Sequence, residues 1–175
     1  QTALTIGVFD GIHRGHRALI GKITAKAPLL VPAVLTFRDN PKKIIRPGVF
    51  EGDILDFREK IRLFEELGVE LCVVIDFSAD FGKLDGREFF SLVYRCLHPA
   101  YAVIGSNFRC GFGRDTGAEA FRLLGKEKGV EVEIVPPVLE NGQPVSSSRI
   151  RSALRAGNVE EAALLLGRPL SKNEG

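Results

Sequence analysis

Apolar positions fall into short unbroken runs that alternate with longer stretches of near-helical period. The runs at 3–9, 30–37, 71–77, 101–105 and 130–135 read as strands buried on both faces. The stretches between them read as amphipathic helices over 15–26, 56–67, 86–97 and 117–128. In the second of these, Phe57, Ile61, Leu63, Phe64 and Leu67 keep close to one face, and Gly68 follows as a C-terminal cap. Asp39-Asn40-Pro41 breaks the second strand and opens a loop that reaches Asp53. Pro136-Pro137 and Asn141-Gly142 mark an irregular connection, after which two short helices, about 147–156 and 159–166, close the chain.

Strands separated by helices imply βαβ units. The expected fold class is α/β: a Rossmann-like, mainly parallel sheet of five to six strands with helices on both faces. Ligands of such sheets sit at the carboxyl ends of the strands, where strand order reverses. Segments 7–16, 36–41 and 105–117 each follow a strand, so one rim should gather all three. The 175 residues suit one domain, and 45% hydrophobic content excludes a disordered chain.

A net charge of +2 gives no electrostatic case for nucleic acid or a membrane surface, and neither is expected as a partner. No apolar run approaches the ~18 residues of a membrane span. Cys72, Cys96 and Cys110 have no metal or disulfide spacing; Cys72 and Cys96 are expected to be buried thiols. With no signal-peptide pattern, a cytoplasmic setting is expected. The oligomeric state is not readable.

Candidate chemistry concentrates in Gly7-Val8-Phe9-Asp10-Gly11-Ile12-His13-Arg14-Gly15-His16, the joint between the first strand and first helix. Glycines there let phosphates approach the backbone, and the helix N-terminus favours an anion. His13 and His16, three apart, are expected on one helix face, aimed at the same phosphate. Ser146-Ser147-Ser148-Arg149-Ile150-Arg151 is a second such helix start. Serines cap well, while Arg149 and Arg151 in a first turn oppose the helix dipole unless an anion occupies the site. No Walker lysine, dinucleotide fingerprint or Ser-His-Asp order accompanies them. Phosphate binders without a nucleophile suit direct transfer between two bound substrates. The two helix starts should therefore face each other across one cleft.

These residues resemble a known family. The 7–16 string is similar to the His-x-Gly-His signature of the nucleotidyltransferase superfamily, and its Phe-Asp-Gly turn resembles the flavin-adenylating domain of prokaryotic FAD synthetases. Thr36-Phe37 through Pro41, Ile104 to Gly111 with Arg114 and Gly117, Val145 to Arg151, and the Gly167-Arg168-Pro169 exit match further pieces in order. The resemblance implies one adenylyltransferase domain over 1–175 that makes FAD and pyrophosphate from FMN and ATP; the riboflavin kinase domain into which the family usually continues is not expected within these residues. It implies that His13, His16 and Arg149 are catalytic. It gives Gly7, Phe9, Asp10, Gly11, Gly15, Ser146 and Ser147 to ATP, and Phe37, Asn40, Asn107, Phe108 and Arg109 to the flavin. Mg2+ would arrive with ATP, with no metal site on the protein itself.

One departure matters. Arg38-Asp39-Asn40-Pro41 stands where the family has Asp-Pro-His-Pro, so Asn40 replaces a histidine. Two other readings therefore stay open: transfer to another acceptor, such as nicotinamide mononucleotide or a phospho-alcohol, and a flavin- and ATP-binding protein with reduced turnover.

Overall fold

The computed structural model describes residues 1–170. In chain order the elements are β1 (Thr2–Ile6), α1 (Arg14–Thr24), β2 (Val31–Phe37), the single turn α2 (Lys42–Ile45), α3 (Phe57–Glu66), β3 (Leu71–Ile75), α4 (Gly86–Leu97) and β4 (Pro99–Gly105). There follow β5 (Arg109–Cys110), β6 (Thr116–Gly117), α5 (Ala118–Glu127), β7 (Glu131–Val135), β8 (Leu139–Glu140), β9 (Gln143–Pro144), α6 (Ser147–Arg155) and α7 (Val159–Leu166).

Five strands form one sheet in the order β3-β2-β1-β4-β7, and every pairing in it is parallel. Both faces are buried because side chains alternate along each strand. Leu4, Ile6, Ala33, Leu35, Ala102 and Ile104 face α4 and α5, meeting Phe89, Phe90, Val93 and Phe121. Ala3, Val34, Tyr101 and Val103 face α1 and α3, meeting Ile20, Ile23, Leu63 and Phe64. A third cluster packs α6 and α7 on the loop before α3 through Ile54, Val145, Ile150, Leu165 and Leu166.

The sheet is wound outward from its middle. The chain passes from β1 to β2 to β3 on one side, then returns to place β4 against the other edge of β1. The crevice at a sheet's topological switch point therefore opens beyond the carboxyl ends of β1 and β4.

Several expectations change at the boundaries. β1 ends at Ile6 rather than residue 9, because Phe9, Gly11 and Ile12 all take positive φ and turn the chain. The 39–53 loop contains α2 and a 3-10 turn at Pro47–Val49. The irregular connection at Asn141-Gly142 is a hairpin: β8 and β9 pair antiparallel, and both turn residues have positive φ. Residues 109–117 likewise fold back on themselves as β5 and β6.

The cysteines differ too. Cys96 is exposed and Cys72 half-buried; both are free thiols, as is Cys110. The inward stripe of α4 runs through Gly86, Phe90, Val93 and Leu97. At 3.6 residues per turn Cys96 falls roughly 80° off its centre.

Candidate active site

The turn after β1 is held from several sides. The Gly7 N–H donates to Leu35 O at 3.1 Å, and Val8 O accepts from Thr36 Oγ1 at 3.2 Å. Phe9 is 1% exposed and meets Phe64 edge-to-face at 5.5 Å between ring centres. Gly11 has φ 88°, and a Cβ there would sit 3.3 Å from Ile54 Cδ1. Asp10 is buried, and its Oδ1 accepts from the N–H groups of Ile54 at 2.7 Å and Leu55 at 3.4 Å. Its other oxygen pairs with the Arg151 guanidinium. Burial pushes the Asp10 carboxyl above its ordinary range, opposed by the Ile54 N–H and Arg151.

His13 does not ride on the helix face expected for it. It is the N-cap of α1, and its Nδ1 accepts from the His16 N–H at 3.3 Å. That bond leaves the proton of a neutral ring on Nε2. The two imidazoles nevertheless meet, stacked with centres 3.6 Å apart and planes at 15°. Gly15 makes room for this: a Cβ there would come within 3.1 Å of His13 Cε1. The His16 ring also meets Phe9 edge-on at 5.1 Å. Burial lowers the His13 pKa to about 4. Burial first, then the charges of His13 and Lys60, holds His16 well below its usual value. Both rings are therefore neutral at pH 7 in the free protein. His16 Nδ1 is buried and has no hydrogen-bond partner among the described residues.

The start of α6 forms the facing wall. Ser146 caps the helix by accepting from the Arg149 N–H, and Ser147 Oγ donates to Asp10 O at 2.8 Å. Arg151 Nε donates to Gly52 O at 3.0 Å. Ser147 and Arg151, four apart, share a helix face and both look into the cleft. Arg149 lies between them in sequence, about 200° around the helix from Ser147. Its guanidinium turns instead to Glu161 Oε1 at 3.0 Å and Glu140 O at 2.9 Å. It does not line the cleft, and Arg151 does.

The cleft measures about 330 Å³. Phe9, Asp10, His13, Gly15 and His16 border it from the α1 side, and Ser146, Ser147, Ser148 and Arg151 from the α6 side. Gly105 to Asn107 and residues 135–138 continue its wall at the ends of β4 and β7. The two helix starts thus share one cavity, while Gly7 and Gly11 do not line it.

The residues expected at a flavin divide. Asn40 and Asn107 line the cleft, and Asn40 Oδ1 also accepts from the Lys42 N–H at 3.1 Å. Phe37 lies outside it, 5.9 Å from Phe77 and 6.5 Å from Phe81 in a group of edge-to-face rings. Phe108 packs on Phe121 at 5.1 Å, and Arg109 is exposed over Gly117. Of the 105–117 segment only its first three residues reach the cleft.

A second cavity of about 390 Å³ lies behind the turn and shares Val8 and Asp10 with the first. Lys60 lines it, with its Nζ donating to Phe37 O and Val8 O. Sequence reasoning passed over Lys60 and weighed Arg151 only as a neighbour of Arg149. The signal for Lys60 was a lysine three and four places from Phe57 and Phe64, on the inward face of α3. Among the described residues no cluster of three His, Cys, Asp or Glu side chains is disposed to hold a metal ion.

Comparison with known proteins places the chain in a family. The FAD synthetase family matches residues 1–149. The bifunctional riboflavin kinase/FMN adenylyltransferase of Escherichia coli K12 is 32% identical over 171 residues, 96% of this chain and 55% of that protein. The Bacillus subtilis protein of the same description is 32% identical over 97% of this chain and 54% of its own length. The FAD synthetase of Listeria monocytogenes is 30% identical over 95% of this chain and 68% of its own. The chain spans about half the length of the bifunctional relatives. A crystal structure described as a macrolide-efflux protein from Streptococcus pneumoniae matches with a TM-score of 0.83 and 35% identity, over 97% of this chain and 66% of that one. No described helix here is long and apolar enough to cross a membrane. A family match over residues 1–149, on a site with stacked histidines facing a serine-capped helix, makes this chain a member of the FAD synthetase family.

Proposed function

We propose that this chain transfers the adenylyl group of ATP to FMN, giving FAD and pyrophosphate. The observation that carries the reading is one cleft bordered by two helix N-termini, with His13 and His16 on one and Ser146, Ser147 and Arg151 on the other. Both helix starts favour an anion. A triphosphate between them would meet unprotonated imidazoles, whose ring N–H groups donate to phosphate oxygens. The negative charge raises the pKa of those rings, so binding draws in protons and strengthens the grip.

An oxygen of the FMN phosphate attacks the α-phosphorus in line. The bond from that phosphorus to the bridging oxygen breaks, and pyrophosphate leaves. Positioning and charge stabilisation supply the catalysis. The seryl oxygen of Ser146 caps α6 and that of Ser147 is bonded to Asp10, so neither is poised as a nucleophile. Arg151 reaches the phosphates by exchanging its bond to Asp10. Arg149 takes its catalytic place only by leaving Glu161 and the Glu140 carbonyl.

Magnesium bound with ATP would neutralise phosphate charge. Asp10, the carboxylate bordering the cleft, already serves Arg151 and two N–H groups. That donor set fits an ion held by phosphate oxygens and water rather than by a protein cage. Asn40 and Asn107 address the flavin side, with Phe37, Phe108 and Arg109 on the rim beyond. The relatives named for FMN adenylylation favour FMN over nicotinamide mononucleotide as acceptor. The described residues form one α/β unit, and the transfer is assigned to that unit alone.

The test is incubation of the folded, purified chain with FMN, ATP and magnesium. FAD and pyrophosphate are expected in equal amounts. No FAD after prolonged reaction would overturn the assignment.

A further inference from the structure

Lys60 is the residue of α3 that its amphipathic pattern does not explain. The helix buries Lys60 beside Leu63 and Phe64, and the lysine is only 6% exposed. A buried ammonium is costly unless its donors find partners. The other cations around it are satisfied by carboxylates: Lys43 by Asp39 and Asp53, Arg38 by Asp76, Arg151 by Asp10. Lys60 is instead held by backbone, donating to Phe37 O at 3.0 Å and Val8 O at 3.3 Å. It bridges the turn that leaves β1 and the carboxyl end of the neighbouring β2.

The Val8 carbonyl is doubly held, since Thr36 Oγ1 also donates to it. A trans peptide points its C=O and its N–H in opposite directions. Fixing the Val8 carbonyl towards Lys60 and Thr36 therefore turns the Phe9 N–H the other way. Phe9 borders the nucleotide cleft and does not border the cavity that Lys60 lines. The Phe9 N–H meets no acceptor among the described residues. Phe9 also sits at φ 53°, a conformation that costs energy and must be enforced by its surroundings.

We propose that Lys60 is a positioning residue: its ammonium, clamped between the carbonyls of Val8 and Phe37, locks the Val8–Phe9 peptide with its N–H aimed at the phosphates of ATP. This rests on the adenylyl-transfer reading for its effect on turnover, and on geometry alone for its effect on ATP binding. Lys60 never touches substrate. It makes a backbone donor rigid.

Lys60→Met removes the charge and keeps most of the stem. The stem keeps its packing and Val8 O keeps its bond from Thr36, so the variant should fold, with a modest fall in melting temperature from the partner the Phe37 carbonyl loses. Turnover should fall about 10- to 100-fold, less than the roughly 100- to 1,000-fold cost of losing an aligned donor outright, because the Phe9 N–H remains and only its orientation loosens, with weaker ATP binding by calorimetry. Lys60→Ala opens a space that the adjoining cavity makes reachable. Propylammonium should restore its turnover, and 1-propanol, equal in size but uncharged, should not; a purely packing role would make the two additives equivalent. Should the methionine variant fail to fold, the alanine variant with its two additives decides. Folded Lys60→Met with ATP affinity and turnover within about twofold of wild type overturns the proposal, as does an alanine variant that propylammonium leaves unrestored. ATP affinity is read without turnover, so a wild-type chain that binds ATP yet makes no FAD refutes the transfer reading alone.

Discussion

In the candidate site the His16 Nδ1 is buried without a partner among the described residues, and its ring is packed between His13 and Phe9. Such a group gains most when an anion arrives. His16→Ala should lower turnover at least ~100-fold, the cost of losing a preorganised donor to developing charge; an unchanged rate in a steady-state assay would refute its role. His13 adds a consequence for stability. Its pKa falls from 6.5 to about 4 on folding, so the unfolded chain binds the proton more tightly. The stabilising share is complete above pH 6.5 and is lost as pH falls towards 4. His13→Asn keeps a capping acceptor and removes the titration. Urea melts of this variant should show a shallower loss of stability between pH 6.5 and 4. A slope equal to wild type would mean that His13 does not titrate as its burial demands.

At the level of elements, the tie between the β1 turn and α6 runs through Asp10 and Arg151, which also hold the backbone of residues 52–55. Arg151→Met leaves the Asp10 carboxylate buried with only the Ile54 and Leu55 N–H groups to compensate it. The expected loss is about 3 kcal/mol by chemical denaturation, the usual scale for breaking a buried pair from one side. Asp10→Asn in the same chain should recover much of it; a single variant as stable as wild type would show the pair to be incidental. These ties also explain what could be read in advance. The strand runs and the four long helices were legible because burial writes its period into the sequence. The rim was legible because all three loops follow strands. The direction of each arginine was not. It depends on Glu161 and Asp10, 12 and 141 residues away from the arginines they hold, and no local pattern reports such distant partners. Phe37 and Phe108, assigned to the flavin, also pack against neighbouring rings, a contact that no local pattern announces.

Across the whole molecule, the candidate site follows from where the winding of the sheet reverses. Strand order reverses at β1 and β4, and the carboxyl ends of these strands bring the α1 and α6 starts within one cavity. The fold class was legible from alternation alone. Lys60 was not, because a lone lysine on an apolar face looks like noise until two backbone carbonyls are seen to hold it. The central claim is that both helix starts grip one triphosphate. A crystal structure with a non-hydrolysable ATP analogue tests it most directly. The account predicts phosphate oxygens within hydrogen-bond distance of His16 on one side and of Ser147 or Arg151 on the other. Phosphates bound elsewhere, or touching only one of the two helices, would contradict it.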